Sequence, residues 1–320
     1  DSSAFRFASE LYPRVPDSNS LLKNALLVIM ASFPSPENFS TMADQLSYSI
    51  PGEGISADFI NALKDTARLT STVISRLLPL LKNGNSCGRM MNLCVNLVDS
   101  SLLQTTKLLP YLQDCIRYSD GRLKEMLSDT DDYNYNDVLA IRFFESLKDP
   151  AANKQIRKYL NVKENYIRFQ ALKSLIHNRQ TVGSSVYLSL ASDKYYRVDL
   201  YNLLRENHKM SLFPASYKTA ERLAESQIWN ASDEDEPPSA IKFLSQKQIR
   251  VKGKSVSLCF FKVIYDQDDT TTSYLACSGP FNTGEIGEAN QVAEFYFDDT
   301  FSPNKMKEQE AELVKRYQAN

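Results

Sequence analysis

The segment Glu164-Asn165-Tyr166-Ile167-Arg168 recurs in modified form 29 residues later as Asp193-Lys194-Tyr195-Tyr196-Arg197. Each copy has an acid, a tyrosine two residues on, and an arginine four residues after the acid. Large apolar residues follow each arginine at its fourth and seventh positions, namely Leu172 and Leu175 in the first copy and Tyr201 and Leu204 in the second. These offsets place the arginine and the apolar residues along one side of a helix. The pattern predicts two helices with the same register.

The acid and the arginine of each copy stand one helical turn apart, where they can pair. The arginine lies at the edge of the apolar stripe, so its guanidinium is partly desolvated and needs a partner. We therefore expect Arg168 and Arg197 to serve helix packing, each bonded to Glu164 or Asp193 or to a neighbouring unit.

A second helical stretch, residues 182–191, lies between the two copies. Two helices in a unit of about thirty residues are typical of stacked helical hairpins. A weaker copy lies 28 residues upstream, where Ala140 replaces the arginine and the apolar positions hold Val138, Phe144 and Leu147. Residues 137–209 resemble a HEAT-like repeat, in which the second helix of each unit carries an acid and an arginine near its start. The resemblance implies an α-solenoid-like domain.

The stretch Ser232-Asp233-Glu234-Asp235-Glu236-Pro237-Pro238 marks the clearest change in the chain. Adjacent acids repel one another and prolines stiffen the chain, as in linkers between domains. Beyond it the helical period gives way to alternating β-branched and aromatic residues. The sequence predicts an α+β protein with a helical repeat domain at 1–231, a linker at 232–239, and a small antiparallel β-sheet module with a terminal helix at 240–320.

The predicted sheet contains a hairpin formed by residues 256–265 and 273–278, with apolar residues on both of its faces. Such a sheet is covered on both sides. A turn centred near Asp268 would place Cys259 opposite Cys277, within reach of a disulfide. The alternative is that both are small buried hydrophobic residues, as free cysteines commonly are.

The composition indicates an ordinary soluble globular chain of 320 residues, with a formal net charge of −2. The apolar run at 25–31 is too short to cross a bilayer and predicts a buried helix. Asp1 in place of a methionine suggests a processed or cut chain, and no compartment is indicated.

The usual catalytic and metal-binding motifs are missing from the sequence. Five cysteines and two histidines show no metal-ligand spacing, and the acidic stretch 129–134 does not fit a calcium-binding loop. We expect no metal and no cofactor. An enzyme without a recognised motif is the least favoured alternative.

The leading hypothesis is a non-enzymatic scaffold that binds a protein partner through its helical-repeat surface. The alternative is nucleic-acid binding, because residues 150–210 contain eleven basic and four acidic residues. The candidate phosphate contacts are Arg157, Lys158, Arg179 and Lys194.

Overall fold

The computed structural model describes residues 2–52, 54–64, 67–128, 135–232, 236–251, 254–267, 270–282, 285–286 and 293–319. Backbone contacts divide the chain into two compact units, residues 1–181 and residues 182–320. The predicted α+β class is confirmed, since helices occupy the N-terminal part and an antiparallel sheet with a terminal helix follows. The acidic stretch 129–134 lies outside the described residues.

The described residues of the first unit form helices joined by turns and loops, without a strand. Its helices are α1 (Ser2–Leu11), α2 (Ser20–Ala31), α3 (Pro36–Tyr48), α4 (Ala57–Lys64), α5 (Ala67–Leu77), α6 (Gly84–Asp99), α7 (Leu112–Ser128), α8 (Tyr135–Leu147), α9 (Pro150–Tyr159) and α10 (Asn165–His177). Two of them begin with a side-chain cap followed by proline: Ser35 caps α3 and Asp149 caps α9. Proline suits this first position because its missing N–H has no intrahelical partner there.

The short apolar run at 25–31 forms part of α2, as predicted, and its buried residues include Leu26, Leu27 and Met30. The buried face also includes Lys23, which is only 1% exposed. A buried ammonium requires a partner of opposite charge, so the position of this helix depends on polar groups elsewhere in the unit. Among the described residues, no helix has both the length and the apolar character needed to cross a membrane.

The second unit combines helices and a five-stranded antiparallel sheet. Its elements are α11 (Ser184–Ser192), α12 (Arg197–Glu206), α13 (Ala220–Ala231), β1 (Ala240–Val251), β2 (Lys254–Gln267), β3 (Thr270–Asn282), β4 (Glu285–Ile286), β5 (Ala293–Thr300) and α14 (Met306–Ala319). The strand order begins β1-β2-β3, and both β4 and β5 pair with β3.

The sheet is covered on both faces, as its apolar pattern predicted. On one face Leu313 of α14 packs against buried side chains of the two central strands, which are Leu258, Phe260, Leu275 and Cys277. Helix α13 packs on the opposite face, where Ser278 of β3 donates a hydrogen bond to Gln227. Two helices on opposite faces therefore enclose the centre of the sheet.

The candidate disulfide between Cys259 and Cys277 is not formed, and both thiols are free and buried. The predicted register was wrong by one residue: Cys259 pairs with Ser278, and Cys277 pairs with Phe260. Because side chains alternate between the faces of a sheet, this shift directs the two thiols to opposite faces. The pairing of β2 with β3 shifts by one residue between Ser257 and Cys259, so Ser257 lies opposite Phe281.

The predicted linker at 232–239 lies inside the second unit and not between the two units. The reason is α13, which precedes this stretch but packs against β2 and β3. Residues 233–235 lie outside the described residues. Helix α13, the last helix before the predicted linker, therefore belongs with the sheet, although its spacing of apolar residues resembles that of the helices before it.

Candidate functional site

The first copy of the repeated segment begins α10, and its acid caps the helix. The Glu164 carboxylate accepts a hydrogen bond from the backbone N–H of Tyr166 at 3.0 Å. Arg168 donates from Nη1 to the side-chain oxygen of Asn165 at 2.7 Å. In the described part of the chain, no ion pair joins Glu164 to Arg168, and the buried Nε of Arg168 has no hydrogen-bond acceptor. The expected local pair is therefore replaced by a cap and a separate side-chain bond.

The second copy has a similar hydrogen bond to its acid, but α12 begins only at Arg197 and has no side-chain cap, so the two helices do not start in the same register. The Asp193 carboxylate accepts from the backbone N–H of Tyr195 at 2.7 Å. Arg197 is 3% exposed and donates to the carbonyl oxygens of Ala191 and Arg222, each at 2.8 Å. Its Nη1 also lies 3.0 Å from the Glu225 carboxylate of α13. Arg197 therefore bonds to a neighbouring helix, which is the second of the two partners that we expected for it.

Lys194, Tyr195 and Trp229 form a cluster beside this arginine, which we call the Trp229 cluster. The Lys194 Nζ lies 3.1 Å from the centroid of the Trp229 ring and 5.2 Å from that of Tyr195. The two rings are 5.4 Å apart and meet edge to face at 65°. Burial lowers the pKa of Lys194 and raises the pKa of Tyr195. The ammonium is therefore held partly out of water against an aromatic ring.

Tyr195 is the most exposed member of the Trp229 cluster. It is 37% exposed, whereas Trp229 is buried. The ring of Tyr195 is held by the tryptophan edge, and its backbone N–H is fixed by Asp193. The cluster thus presents a large exposed aromatic side chain whose ring and backbone are both supported by contacts.

The four basic residues proposed as phosphate contacts are divided between the two units, with Lys194 in the second. Arg157 donates from Nη1 to the carbonyl oxygen of Thr181 at 2.7 Å. Lys158 forms an ion pair with Asp120 at 2.6 Å. Arg179 is exposed and has a left-handed backbone with φ of 57°. Three of the four cations, Lys194 included, therefore have contacts within the fold.

The exposed surface of α11 was not predicted from the sequence. Residues 182–192 contain no charged side chain, and Leu188 within this stretch is 51% exposed. Helix faces that meet water ordinarily carry charges. An uncharged helix face with an exposed leucine is more typical of a protein-binding surface.

A polar network around the buried Lys23 in the first unit was also missed. Lys23 donates to Asp17 at 2.6 Å and to the hydroxyl of Ser49, which in turn donates to Asp17. Arg89 donates to the second oxygen of Asp17 at 2.8 Å. Burial raises the pKa of Asp17, but hydrogen bonds from Lys23, Ser49 and Arg89 and the charge of Lys23 outweigh it, so that the pKa falls to about 2.

This network contains a serine and a lysine in contact, which is also the composition of some hydrolytic sites. A lysine base must be uncharged to accept a proton from the serine. Here the Asp17 carboxylate is ionised at neutral pH and touches the ammonium directly. The nearby Lys23 and two residues from distant parts of the chain, Ser49 and Arg89, meet on this one carboxylate, and the arrangement is that of a structural anchor.

No group of three or more histidine, cysteine or acidic side chains among the described residues is arranged to hold a metal ion. Comparison with known proteins adds no further guide, because no family model, curated protein or solved structure matches this chain.

Proposed function

We propose that the chain is a non-enzymatic protein-binding module that uses the helical surface of its second unit. The observation that supports this proposal is the Trp229 cluster, in which a buried indole and a cation hold the exposed Tyr195 in place. Tyrosine and tryptophan are enriched among the residues that dominate protein interfaces. A side chain already fixed in the free protein loses little conformational entropy on binding.

The uncharged surface of the neighbouring α11 supports the same proposal. Its exposed Leu188 and its uncharged surface provide the kind of area that accompanies an aromatic anchor. Nucleic-acid binding has less support, because Arg157 and Lys158 are bonded within the fold and Lys194 lies against the Trp229 ring. A phosphate-binding face requires several cations that are free to contact the backbone.

The proposal is tested by photo-crosslinking in the cells that make the protein. A photoreactive phenylalanine analogue replaces Tyr195, and the control carries the same analogue at Tyr48 of the first unit, which is 93% exposed. We expect one discrete crosslinked protein at position 195, and we expect Tyr195→Ala to weaken binding of that purified protein by roughly tenfold or more. A gel-shift titration with generic duplex and single strands runs in parallel. Nucleic-acid binding at about 1 μM or tighter at physiological salt would overturn the proposal.

A further inference from the structure

The outer edge of β1 is an open side of the sheet. Strand β1 pairs with β2 from Ala240 opposite Ile264 to Val251 opposite Lys254, and no described strand pairs with its other side. None of the residues 240–250 is buried. An unpaired edge of this length presents backbone donors and acceptors to any extended chain that fits it.

The outward groups of this edge can be assigned to particular residues. In an antiparallel pair, every second residue directs its N–H and C=O away from the partner strand. Arg250 is such a residue, because its carbonyl oxygen accepts a hydrogen bond from the Gln318 side chain at 3.3 Å. Gln246 and Gln248 lie four and two residues before Arg250, so their N–H and C=O groups also point away from β2. The register shift between Phe243 and Ser245 ends this regular stretch, so the continuous edge runs over residues 245–251.

Strand β1 contains basic side chains and no acid. Residues 237–265 contain six basic residues and no acid, in a chain whose formal net charge is −2. Lys242, Lys247 and Arg250 belong to β1 itself, and Lys247 pairs with Glu310 of α14. An acidic segment is complementary to this field and gains association rate from it.

The same charges disfavour a second copy of the chain as the occupant. Two β1 edges placed side by side would bring their own basic residues together, and like charges across a strand pair are destabilising. Lysines on an edge strand are a known means of preventing such self-association. We propose that the β1 edge binds an extended acidic segment of a partner protein, which adds a strand to the sheet at residues 245–251.

The first test uses the full chain and three labelled octapeptides, measured by fluorescence anisotropy at low and physiological salt. The first peptide alternates glutamate and valine, the second alternates lysine and valine, and the third is the glutamate peptide with N-methyl groups that block one backbone edge. We expect the acidic peptide to bind, and we expect the other two to bind roughly tenfold or more weakly. Equal binding of the methylated and unmethylated acidic peptides would overturn the proposal, as would no binding of the acidic peptide up to about 1 mM.

The second test changes the protein. Gln248→Pro removes an N–H that points away from β2, so it blocks the edge and keeps the β1–β2 bonds. We expect Gln248→Pro to weaken binding of the acidic peptide by roughly tenfold or more. If Gln248→Pro does not fold, the double variant Lys242→Glu with Arg250→Glu replaces it, and we expect the same loss of binding. Lys173→Glu, at an exposed position of α10 in the first unit, is the control and leaves peptide binding unchanged. The peptide assay does not involve Tyr195, so this proposal and the proposed function can fail separately. Unchanged binding in a folded edge variant, or a dimer that dissociates in Gln248→Pro, would contradict the proposal.

Discussion

Arg179 and His208 stand 29 residues apart and have the same left-handed backbone, with φ of 57° and 56°. Each lies two residues beyond the end of its helix, α10 or α12. The next backbone N–H then bonds back to a leucine five residues earlier: Gln180 to Leu175 at 2.8 Å, and Lys209 to Leu204 at 2.7 Å. These are the bonds of a Schellman helix end. The two copies therefore share a helix ending that the repeated segment itself does not include.

Glycine at these two positions should stabilise the protein. A side chain in the left-handed region costs about 1 kcal/mol, and glycine avoids that cost. We expect Arg179→Gly and His208→Gly each to raise the free energy of unfolding by about 0.5–1 kcal/mol, as measured by urea denaturation. Lys173→Gly, in the exposed middle of α10, is the control and should lower it by about 1 kcal/mol. Loss of stability in Arg179→Gly or His208→Gly would mean that the replaced side chain makes a contact that stabilises the fold.

The two repeat arginines should differ in their importance for stability. Arg197→Ala leaves the Glu225 carboxylate without its buried partner, and we expect a loss of about 3 kcal/mol. Arg168→Ala removes a single bond to Asn165, and we expect about 1 kcal/mol. Arg222→Ala is the control, since this half-exposed arginine lies 3.6 Å from the same Glu225, and its loss should cost less than about 0.5 kcal/mol. Equal losses for Arg168→Ala and Arg197→Ala would contradict this assignment.

Asp17 should make the stability of the first unit depend on pH in the acid range. Its pKa falls to about 2 in the folded chain, below its ordinary value near 4. A depressed carboxyl pKa stabilises the fold above the unfolded value, and this contribution is lost as the pH falls towards 2. We expect Asp17→Asn to lower the melting temperature at pH 6, and the difference from the unmodified chain to shrink between pH 4 and pH 2.

The matched control for this pH dependence is Asp44→Asn, which breaks the exposed ion pair with Arg76 at 2.9 Å. Exposed pairs contribute little, so its melting temperature should stay close to that of the unmodified chain at both pH values. A constant difference between Asp17→Asn and the unmodified chain from pH 6 to pH 2 would show that the Asp17 charge does not act as described.

All five cysteines should react with a thiol reagent as free thiols once the chain is unfolded. Each of them is free and buried, so we expect slow reaction with a thiol reagent in the native chain and full reaction after unfolding. Mass measurement of the alkylated chain with and without prior reduction should give the same value. A mass difference for the peptides that contain Cys259 and Cys277 would indicate that the hairpin has the register with the two thiols opposed.

The division of the chain can be tested with two truncated chains. A chain of residues 1–181 should be helical and unfold cooperatively, because it contains a complete compact unit. A chain that ends at residue 231 lacks the strands against which α13 packs, so it exposes part of this helix and should aggregate. Size-exclusion chromatography and thermal melting measure both properties. A monomeric and cooperative chain of residues 1–231 would instead support a boundary at 232–239.

Local features were the ones that sequence reasoning located correctly. The period of apolar residues identified α10, α12, the hairpin and α14, because each pattern is set by neighbours a few residues apart. The buried Lys23 escaped this reasoning, since its partners Asp17 and Ser49 come from separate turns of the chain. Sequence reasoning also missed the pairing of Arg197 with Glu225, 28 residues on, and placed Cys277 one residue out of register. Both depend on contacts between distant parts of the chain. Partners and registers depend on tertiary contacts that periodicity does not contain.

The position of α13 also determines how the second unit can fold during translation. The ribosome releases α13 before any strand of the sheet it covers, while Leu313 of α14, which packs on the opposite face, follows all five strands. Until those strands emerge, the side of α13 that packs on the sheet has no partner, although the helix can already contact α12. Domains fold from the N-terminal end as they are synthesised, so the first unit is complete while the second still waits for its last helix. The nascent second unit is therefore the part of the chain for which we expect a requirement for chaperones.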